Sequence, residues 1–284
     1  MEYSGLRKYI YTDQGDNIGY VDLVQSMGTD LTVVNAARAT YDKFKPFSES
    51  DSELPEEDKK LIKYLISHKH TSTLEHNIVT FRFKVPLFVA KQHMRHRTWS
   101  FNEMSRRHTS ENIEFWTPNS YRIPDPKNRQ QSLQKQNFNP TVLVTHGEYS
   151  MYEYSASELQ KLHAKDCLER YNALINAGIA REQARALLPE MMYTTYWGAI
   201  DLNNLVKFLD LREGGDAQWE ISQVAVAVHE FADMVWPETM KNYKTPDQRK
   251  IEEQNLFEQR VQKEVEKRLN QELLNQNLIN QIKG

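Results

Sequence analysis

Apolar residues recur along this chain with two periods, one of two and one near 3.6, and each change of period marks a boundary between elements. Tyr20-Val21-Asp22-Leu23-Val24 alternates as a half-buried strand does, and the segment closes at Met27-Gly28. Thr29 or Asp30 then caps a helix through Ala37 to about Thr40, with Leu31, Val34 and Ala37 or Arg38 on related faces. Residues 44–58 are polar with two prolines and read as a loop, after which Leu61, Ile62, Leu65 and Ile66 mark a second amphipathic helix ending near His68. Val79, Phe81, Phe83 and Val85 alternate with Thr80, Arg82 and Lys84, the pattern of another half-buried strand. Pro86 suits the first turn of a helix from Leu87 to about His96, with Leu87, Val89 or Ala90, and Met94 facing inward.

Residues 109–145 hold several prolines, many Asn and Gln and no sustained period, so they read as a long surface excursion. From Tyr149 to Ala177, Leu159, Leu162, Leu168, Tyr171, Leu174 and Ile175 describe a long helix stopped by Gly178. A short helix over Ala180–Leu188 carries Arg181 and Arg185 on one face, and Met191–Ile200 is rich in Tyr, Thr and Trp and fits a strand. Asp201 caps a helix with Leu202, Leu205, Val206 and Leu209 inward, reaching Arg212 before the Gly214-Gly215 break. Asp216 opens a further helix whose buried stripe is Ile221, Val224, Ala225, Val228 and Phe231, ending before Pro237. Beyond residue 245 the character changes, for Phe257, Val261, Val265, Leu269 and Leu273, then Leu274, Leu278 and Ile282, recur every four residues among Gln, Asn, Glu and Lys. A four-residue stripe drifts around a helix, so this predicts an amphipathic tail helix packed on a neighbour rather than a regular coiled coil. The expected organisation is a domain over 1–245 and a helical tail extension over 246–284.

Composition narrows the function classes. A chain of 284 residues is long enough for a substantial core. Its formal net charge of -3 argues against a general nucleic-acid coat, which usually presents a strongly basic face. The single cysteine, Cys167, has no internal disulfide partner and reads as a packing residue inside the long helix, with no adjacent histidine to activate it. No apolar run approaches the roughly twenty residues that cross a bilayer, and no charged-then-apolar leader is visible, so a reducing cytoplasm and no membrane partner are expected. His68, His70 and His76 flank Glu75, but their spacing fits neither HExxH nor a zinc finger, so no metal is expected there.

One stretch fits none of these periods. Residues 92–107 pack four arginines, two histidines, one glutamate and two serines into sixteen positions. Guanidinium forks suit phosphate and carboxylate oxygens two bonds at a time, and serine hydroxyls with backbone N–H groups complete such an anion site. The stretch therefore reads as the place where a doubly charged, phosphate-bearing small molecule is held. A basic loop paired with acidic neighbours is the plainer reading of the same charges. In a helix reaching His96, Gln92 and Arg95 share a face, and the irregular stretch after it supplies further donors. Arg212, at a predicted helix end, reads from its position alone as a cation offsetting the helix dipole.

Arg95-His96-Arg97, Ser100, Asn102-Glu103, Ser105 and Arg107 spell RHRxxSxNExSxR, and that spacing resembles the signature of the flavin-dependent thymidylate synthases. The resemblance extends over 19–41, 61–107 and 178 to about 219, in the same order as in the family. It implies an α+β domain with an antiparallel sheet and flanking helices, assembled as a homotetramer with active sites at subunit interfaces. It also implies reductive methylation of dUMP to dTMP with 5,10-methylenetetrahydrofolate as one-carbon source, NADPH as reductant and FAD as hydride carrier, without an enzyme nucleophile. Two other readings are carried beside it: a dUMP hydroxymethylase on the same scaffold, and a non-catalytic nucleotide- or RNA-binding regulator.

Residue by residue, the resemblance makes Gln92, Arg95, Glu103, Ser105, Arg106, Arg107, Arg185 and Arg212 dUMP contacts, with Gln92 and Arg95 from one subunit and Ser105, Arg106 and Arg107 from another. Arg212 takes the catalytic part beside the uracil ring, where a fixed positive charge favours the N3-deprotonated pyrimidine. His70, Ser72, Glu75, Arg95, His96, Arg97, Glu103, Asp201, Asn203 and Lys207 are the implied FAD contacts. His76 carries no implied role. The chain departs from the family at Asp201 and Lys207, where asparagines are frequent, and at Asp216, where some members carry histidine.

Overall fold

Alternation along Ile78–Pro86 leaves Val79, Phe81, Phe83 and Val85 buried on one face of a strand, which obliges neighbouring strands and a layer of helices to cover them. The computed structural model describes residues 5–47, 54–129, 131–146, 150–214 and 216–283, in two compact units, Met1–Tyr243 and Lys244–Gly284. The first unit begins with β1 (Leu6–Tyr9), β2 (Tyr20–Met27), α1 (Asp30–Arg38), α2 (Glu56–Ser67), β3 (Ile78–Pro86), α3 (Leu87–His93) and β4 (Ser100–Glu103). Two short hairpins follow, β5 (Arg122–Pro124) with β6 (Ser132–Gln134) and β7 (Thr141–His146) with β8 (Ser150–Ser155). Then come α4 (Ala156–Asn176), α5 (Arg181–Ala184), β9 (Tyr193–Asp201), α6 (Leu202–Arg212), α7 (Trp219–Val235) and α8 (Pro237–Asn242). The second unit is α9 (Pro246–Lys283).

The main sheet has the order β1-β2-β3-β9-β4, antiparallel throughout, and the chain is of the expected α+β class. Its longest continuous pairing joins β3 to β9, from Ile78↔Asp201 to Pro86↔Tyr193. One core lies on the Phe81/Phe83 face, filled by Leu31, Val33 and Val34 of α1, Leu202, Leu205, Phe208 and Leu209 of α6, and Ile221, Val224, Val228 and Phe231 of α7. Each such side chain, fully buried, contributes about 1.5–3 kcal/mol of transfer free energy. The opposite face carries Arg82 and Lys84, which pair with Asp22 (3.5 Å) and Glu114.

Several elements differ from the pattern reading. Pro86 ends β3 as the cap residue before α3, and α3 stops at His93 rather than His96, because the buried His93 ring is anchored to the sheet. Arg95 thus lies past the helix end, and Gln92 and Arg95 do not share a helix face. Residues 100–103, expected to be irregular, form β4 against β9, and β1 has no counterpart in the pattern. The 109–145 excursion contains hairpin strands of three residues and more, too short to give a period. The long helix begins at Ala156, because Ser150–Ser155 is β8; Tyr149 lies outside the described residues. Gly178 does stop that helix, at φ +84° with its N–H donating to the Ile175 carbonyl. Trp219, not Asp216, opens α7, with Gln218 as the cap residue. Along α9, Ile251, Leu256, Phe257, Val261 and Val265 are exposed.

Asn77 joins four elements at the base of the core. It is fully buried, its Oδ1 accepts from Trp236 Nε1 at 3.0 Å, and its carbonyl accepts from Leu202 N at 2.9 Å. Gly28, at the end of β2, passes over it with φ +85°, so close that a Cβ there would lie 2.2 Å from Asn77 Oδ1. Gly28→Ala adds a left-handed penalty of about 1–2 kcal/mol to that collision, and is expected to destabilise the protein by at least about 2 kcal/mol. A urea midpoint unchanged from wild type would contradict this.

Candidate active site

The cationic stretch begins where β3 passes into α3. The first N–H groups of α3 have no partner inside the helix; Leu87 N donates to the Met192 carbonyl at 3.0 Å and Phe88 N to that of Glu190 at 3.2 Å. These bonds set the direction of the helix. At its other end His93 shares a 2.8 Å hydrogen bond with Tyr196 Oη and sits among Phe83, Trp99, Phe101 and Phe208, with ring centroids 4.6–5.1 Å away. Burial, followed by the nearby His96 and Arg212, pushes His93 well below the ordinary histidine value, so the ring is neutral at pH 7. The chain turns there, and Gln92, Arg95, His96 and Arg97 emerge around a fixed aromatic post.

Arg212 arrives from the end of α6 and donates from Nε to His96 Nε2 at 2.9 Å. Only a neutral imidazole accepts such a bond, and His96 is held at about 4, by burial first and the Arg212 charge second. Burial and the charge of Arg95 in turn lower Arg212 below the usual guanidinium value. The next residue, Glu213, accepts from His229 Nδ1 at 2.8–2.9 Å, which fastens this helix end to α7. Gln92 donates from Nε2 to Gln218 Oε1, just before α7. Thus Arg95, His96 and Arg212 are brought together from the turn after α3 and from α6, with Gln92 in the last turn of α3 bonded to the segment before α7.

A second group forms at the opposite end of the β3–β9 pair. His70 and Ser72 are exposed on a tight 3-10 turn over Thr71–Leu74, and Glu75 follows it. Because Ile78 pairs with Asp201, Glu75 falls beside the start of α6, and Asn203 Nδ2 donates to Glu75 Oε1 at 2.8 Å. Asp201 caps α6, accepting from Asn204 N at 3.0 Å and Asn204 Nδ2 at 2.6 Å, while Lys207 Nζ donates to Asn204 Oδ1 at 3.2 Å. Asn204, which carries no signal in the sequence, thereby links the carboxylate of Asp201 to Lys207.

The third group lies on the strand-and-turn end of the motif. Glu103 pairs with Tyr196, shares the Phe83 face and accepts from Thr194 Oγ1 at 2.6 Å, whereas Arg82, Lys84, Asn102, Arg106 and Trp197 line a cavity of about 550 Å³ on the sheet face away from the helices. Arg106 is buried, with its guanidinium donating to the carbonyls of Glu111 (2.6 Å) and Asn112 (3.3 Å), so in this chain it holds its own loop. Ser105 Oγ accepts from Arg107 N at 3.2 Å, and Arg107 pairs with Glu182 at 3.4 Å, near the exposed Arg185. Among the described residues, no hydrogen bond or ion pair joins Ser105, Arg106 or Arg107 to Gln92, Arg95 or Arg212.

Cys167 lies in α4, half exposed, and contrary to expectation a histidine is adjacent: His163, one turn earlier, has ring nitrogens 3.6–3.8 Å from Sγ. Burial and then Asp166 raise its pKa, which keeps it a thiol rather than a nucleophilic thiolate. Among the described residues no group of three or more His, Cys, Asp or Glu is arranged to hold a metal, and no helix is long and apolar enough to cross a membrane.

Comparison with known proteins places the chain in a family. The family described as "Thymidylate synthase complementing protein" matches residues 22–238. The flavin-dependent thymidylate synthase of Thermosipho melanesiensis is 35% identical over 225 residues, covering 79% of this chain and 90% of that protein. That of Thermus thermophilus is 37% identical over 213 residues, covering 75% and 71%. Among solved structures, the UMP/dUMP methylase PolB from Streptomyces cacaoi bound with 5-Br UMP aligns with a TM-score of 0.61 at 28% identity, over 79% of this chain and 93% of that one. Fold and sequence together make the chain an enzyme of the α+β class. It belongs to the flavin-dependent thymidylate synthase family.

The His96 environment gives a pH dependence. Between about 4 and 6.5 the unfolded chain takes up a proton on this ring and the folded chain does not. Its contribution to stability is therefore complete above 6.5 and is lost as pH falls towards 4. His93 acts in the same direction. His96→Gln is expected to flatten the fall of the urea midpoint between pH 7 and pH 4.5, by about one proton in the slope; an identical slope in the variant would refute the assignment.

Proposed function

We propose that this enzyme converts dUMP to dTMP, using 5,10-methylenetetrahydrofolate as the one-carbon donor and NADPH as the reductant, with FAD bound beside the nucleotide. The observation that carries the reading is the state of the arginines. Arg95, Arg97 and Arg185 are exposed and, among the described residues, have no acidic partner, while Arg212 is held in place by His96. Guanidinium groups in a near-neutral protein left without carboxylates are a donor set for phosphate oxygens. The same donors, with Lys207 and the exposed His70 and Ser72, suit the diphosphate and ring system of FAD, while Asn203 is buried and acts through its bond to Glu75. Asp201 is compatible with that role because Asn204 engages both its oxygens.

When bound, FAD supplies hydride transfer and the folate supplies the methylene carbon. The chain's own residues bind and balance charge. Gln92, Arg95, Ser105, Arg107 and Arg185 would grip the monophosphate and sugar, with Glu103 beside them. Arg212 would face the pyrimidine, where its fixed charge favours the ring deprotonated at N3. Its bond to His96 holds Nε in place and leaves the terminal nitrogens to the substrate. His96 itself stays neutral there and adds no competing charge. That no hydrogen bond or ion pair joins the Ser105–Arg107 end to the Gln92–Arg212 end among the described residues is in keeping with a site completed by a neighbouring subunit, as in a homotetramer. We further read 1–245 as the catalytic domain, 246–284 as an appendage, and the cytoplasm as the compartment.

The test is an anaerobic assay of purified protein with dUMP, methylenetetrahydrofolate, FAD and NADPH, identifying the nucleotide by mass. dTMP is expected; a hydroxymethylated product, or a colourless protein that ignores both FAD and dUMP, would sink the reading. Arg212→Ala should lower turnover by about 10²–10³-fold while dUMP still binds measurably, the size of loss typical when a fixed electrostatic donor is removed. Cys167→Ala should retain turnover, since the thiol is protonated and outside the site. Loss of turnover in a folded, FAD-binding Cys167→Ala variant would restore an enzyme nucleophile to the mechanism.

A further inference from the structure

Gln92 is one end of a chain of side chains that reaches the surface excursion. Its Nε2 donates to Gln218 Oε1, and Gln218 Nε2 donates to Glu220 Oε2 at 2.8 Å. Glu220 Oε1 accepts from Arg122 Nη2 at 2.5 Å, and Arg122 is braced by Ser132 Oγ at 3.0 Å and by the Trp219 ring 5.4 Å from its central carbon. Glu220 is buried, with its side chain 2% exposed, and Arg122 lies on β5 of the excursion.

We infer that Glu220 is a positioning residue for the nucleotide site, acting through Gln218 to decide which end of the Gln92 amide meets the substrate. A carboxylate paired with a guanidinium only accepts hydrogen bonds, so Gln218 must turn its NH2 towards Glu220. Its carbonyl oxygen then points the other way, at Gln92. That oxygen also only accepts, so Gln92 must give it an N–H. The Gln92 oxygen is left facing outward, and the substrate meets an acceptor suited to a sugar hydroxyl or a ring N–H. Without the chain an amide is free to swing through half a turn and exchange donor for acceptor. Arg122 holds Glu220 in place, which gives the 109–145 excursion a part in substrate recognition although none of its residues needs to touch the substrate.

The inference rests on the reading of Gln92 as a dUMP contact, and the experiment separates the two. Binding of dUMP by the wild-type protein, measured by calorimetry, tests that reading by itself. Glu220→Gln replaces the acceptor-only carboxylate with an amide that also donates, and Gln218→Met cuts the chain at an exposed position without disturbing the buried pair. Each is expected to weaken dUMP binding and raise its KM about tenfold, the effect of one hydrogen bond, with FAD affinity as in wild type. In a Gln218→Met background, Glu220→Gln should add nothing further to the loss of dUMP affinity. Unchanged dUMP binding in Gln218→Met, equal losses of dUMP and FAD affinity, or additive losses in the double variant would each overturn the inference. If Glu220→Gln fails to fold, Gln218→Met carries the decision alone.

Discussion

The antiparallel pairing of β3 with β9 is the constraint from which the site follows. Nine residues of each strand are in register, so the two ends of the pair are two fixed places in the molecule. At one end Pro86 faces Tyr193, and α3 leaves with Gln92 and the residues after it. At the other Ile78 faces Asp201, which sets Glu75 beside Asn203 and starts α6 towards Arg212. A slip of one residue would turn Val79, Phe81, Phe83 and Val85 outward, so the burial that stabilises the core also fixes the position of the chemistry. The hydrogen bonds of Leu87 and Phe88 to the segment before β9 tie the direction of α3 to that same register.

Within this frame the electrostatics work by removing charge as much as by supplying it. His93 and His96 stand in an arginine-rich stretch, yet burial keeps both neutral. A protonated His96 would repel Arg212, whereas the neutral ring accepts a hydrogen bond from it and sets its orientation. His93 has a different task, filling an aromatic cage and ending α3 at the point where the arginines must fan out. Arg106 shows the same selectivity among cations, since it closes its own loop on two carbonyls while Arg95 and Arg97 stay open to solvent.

Much of this is legible in the order of residues. The period-two and 3.6-period segments locate β2, β3 and the helices α1, α2, α6 and α7, because each has one face turned to the core, and a Tyr-, Thr- and Trp-rich composition locates β9. Segments without that asymmetry escape a pattern reading. β1 and β4 bury little, the hairpins of the excursion are too short for a period, and β8 precedes α4 with no apolar break between them. The thiol of Cys167 reads as a packing residue, and burial with Asp166 raises its pKa, but its neighbour His163 is not adjacent in the sequence, because it lies four residues away on the same helix face.

Sequence by itself determined the family, through the spacing of RHRxxSxNExSxR, and the class of fold, through alternation and amphipathic stripes, since both are written in local order along the chain. It also named Arg95, His96, Arg97 and Arg212 as chemistry-bearing residues. Tertiary structure decided which of them meet. The bonds from Arg212 to His96, from Asn203 to Glu75 and from Gln92 through Gln218 and Glu220 to Arg122 mostly join residues about a hundred or more positions apart. Such pairs exist only because sheet register and helix packing bring distant ends of the chain together, and nothing in the local order of side chains records that closure.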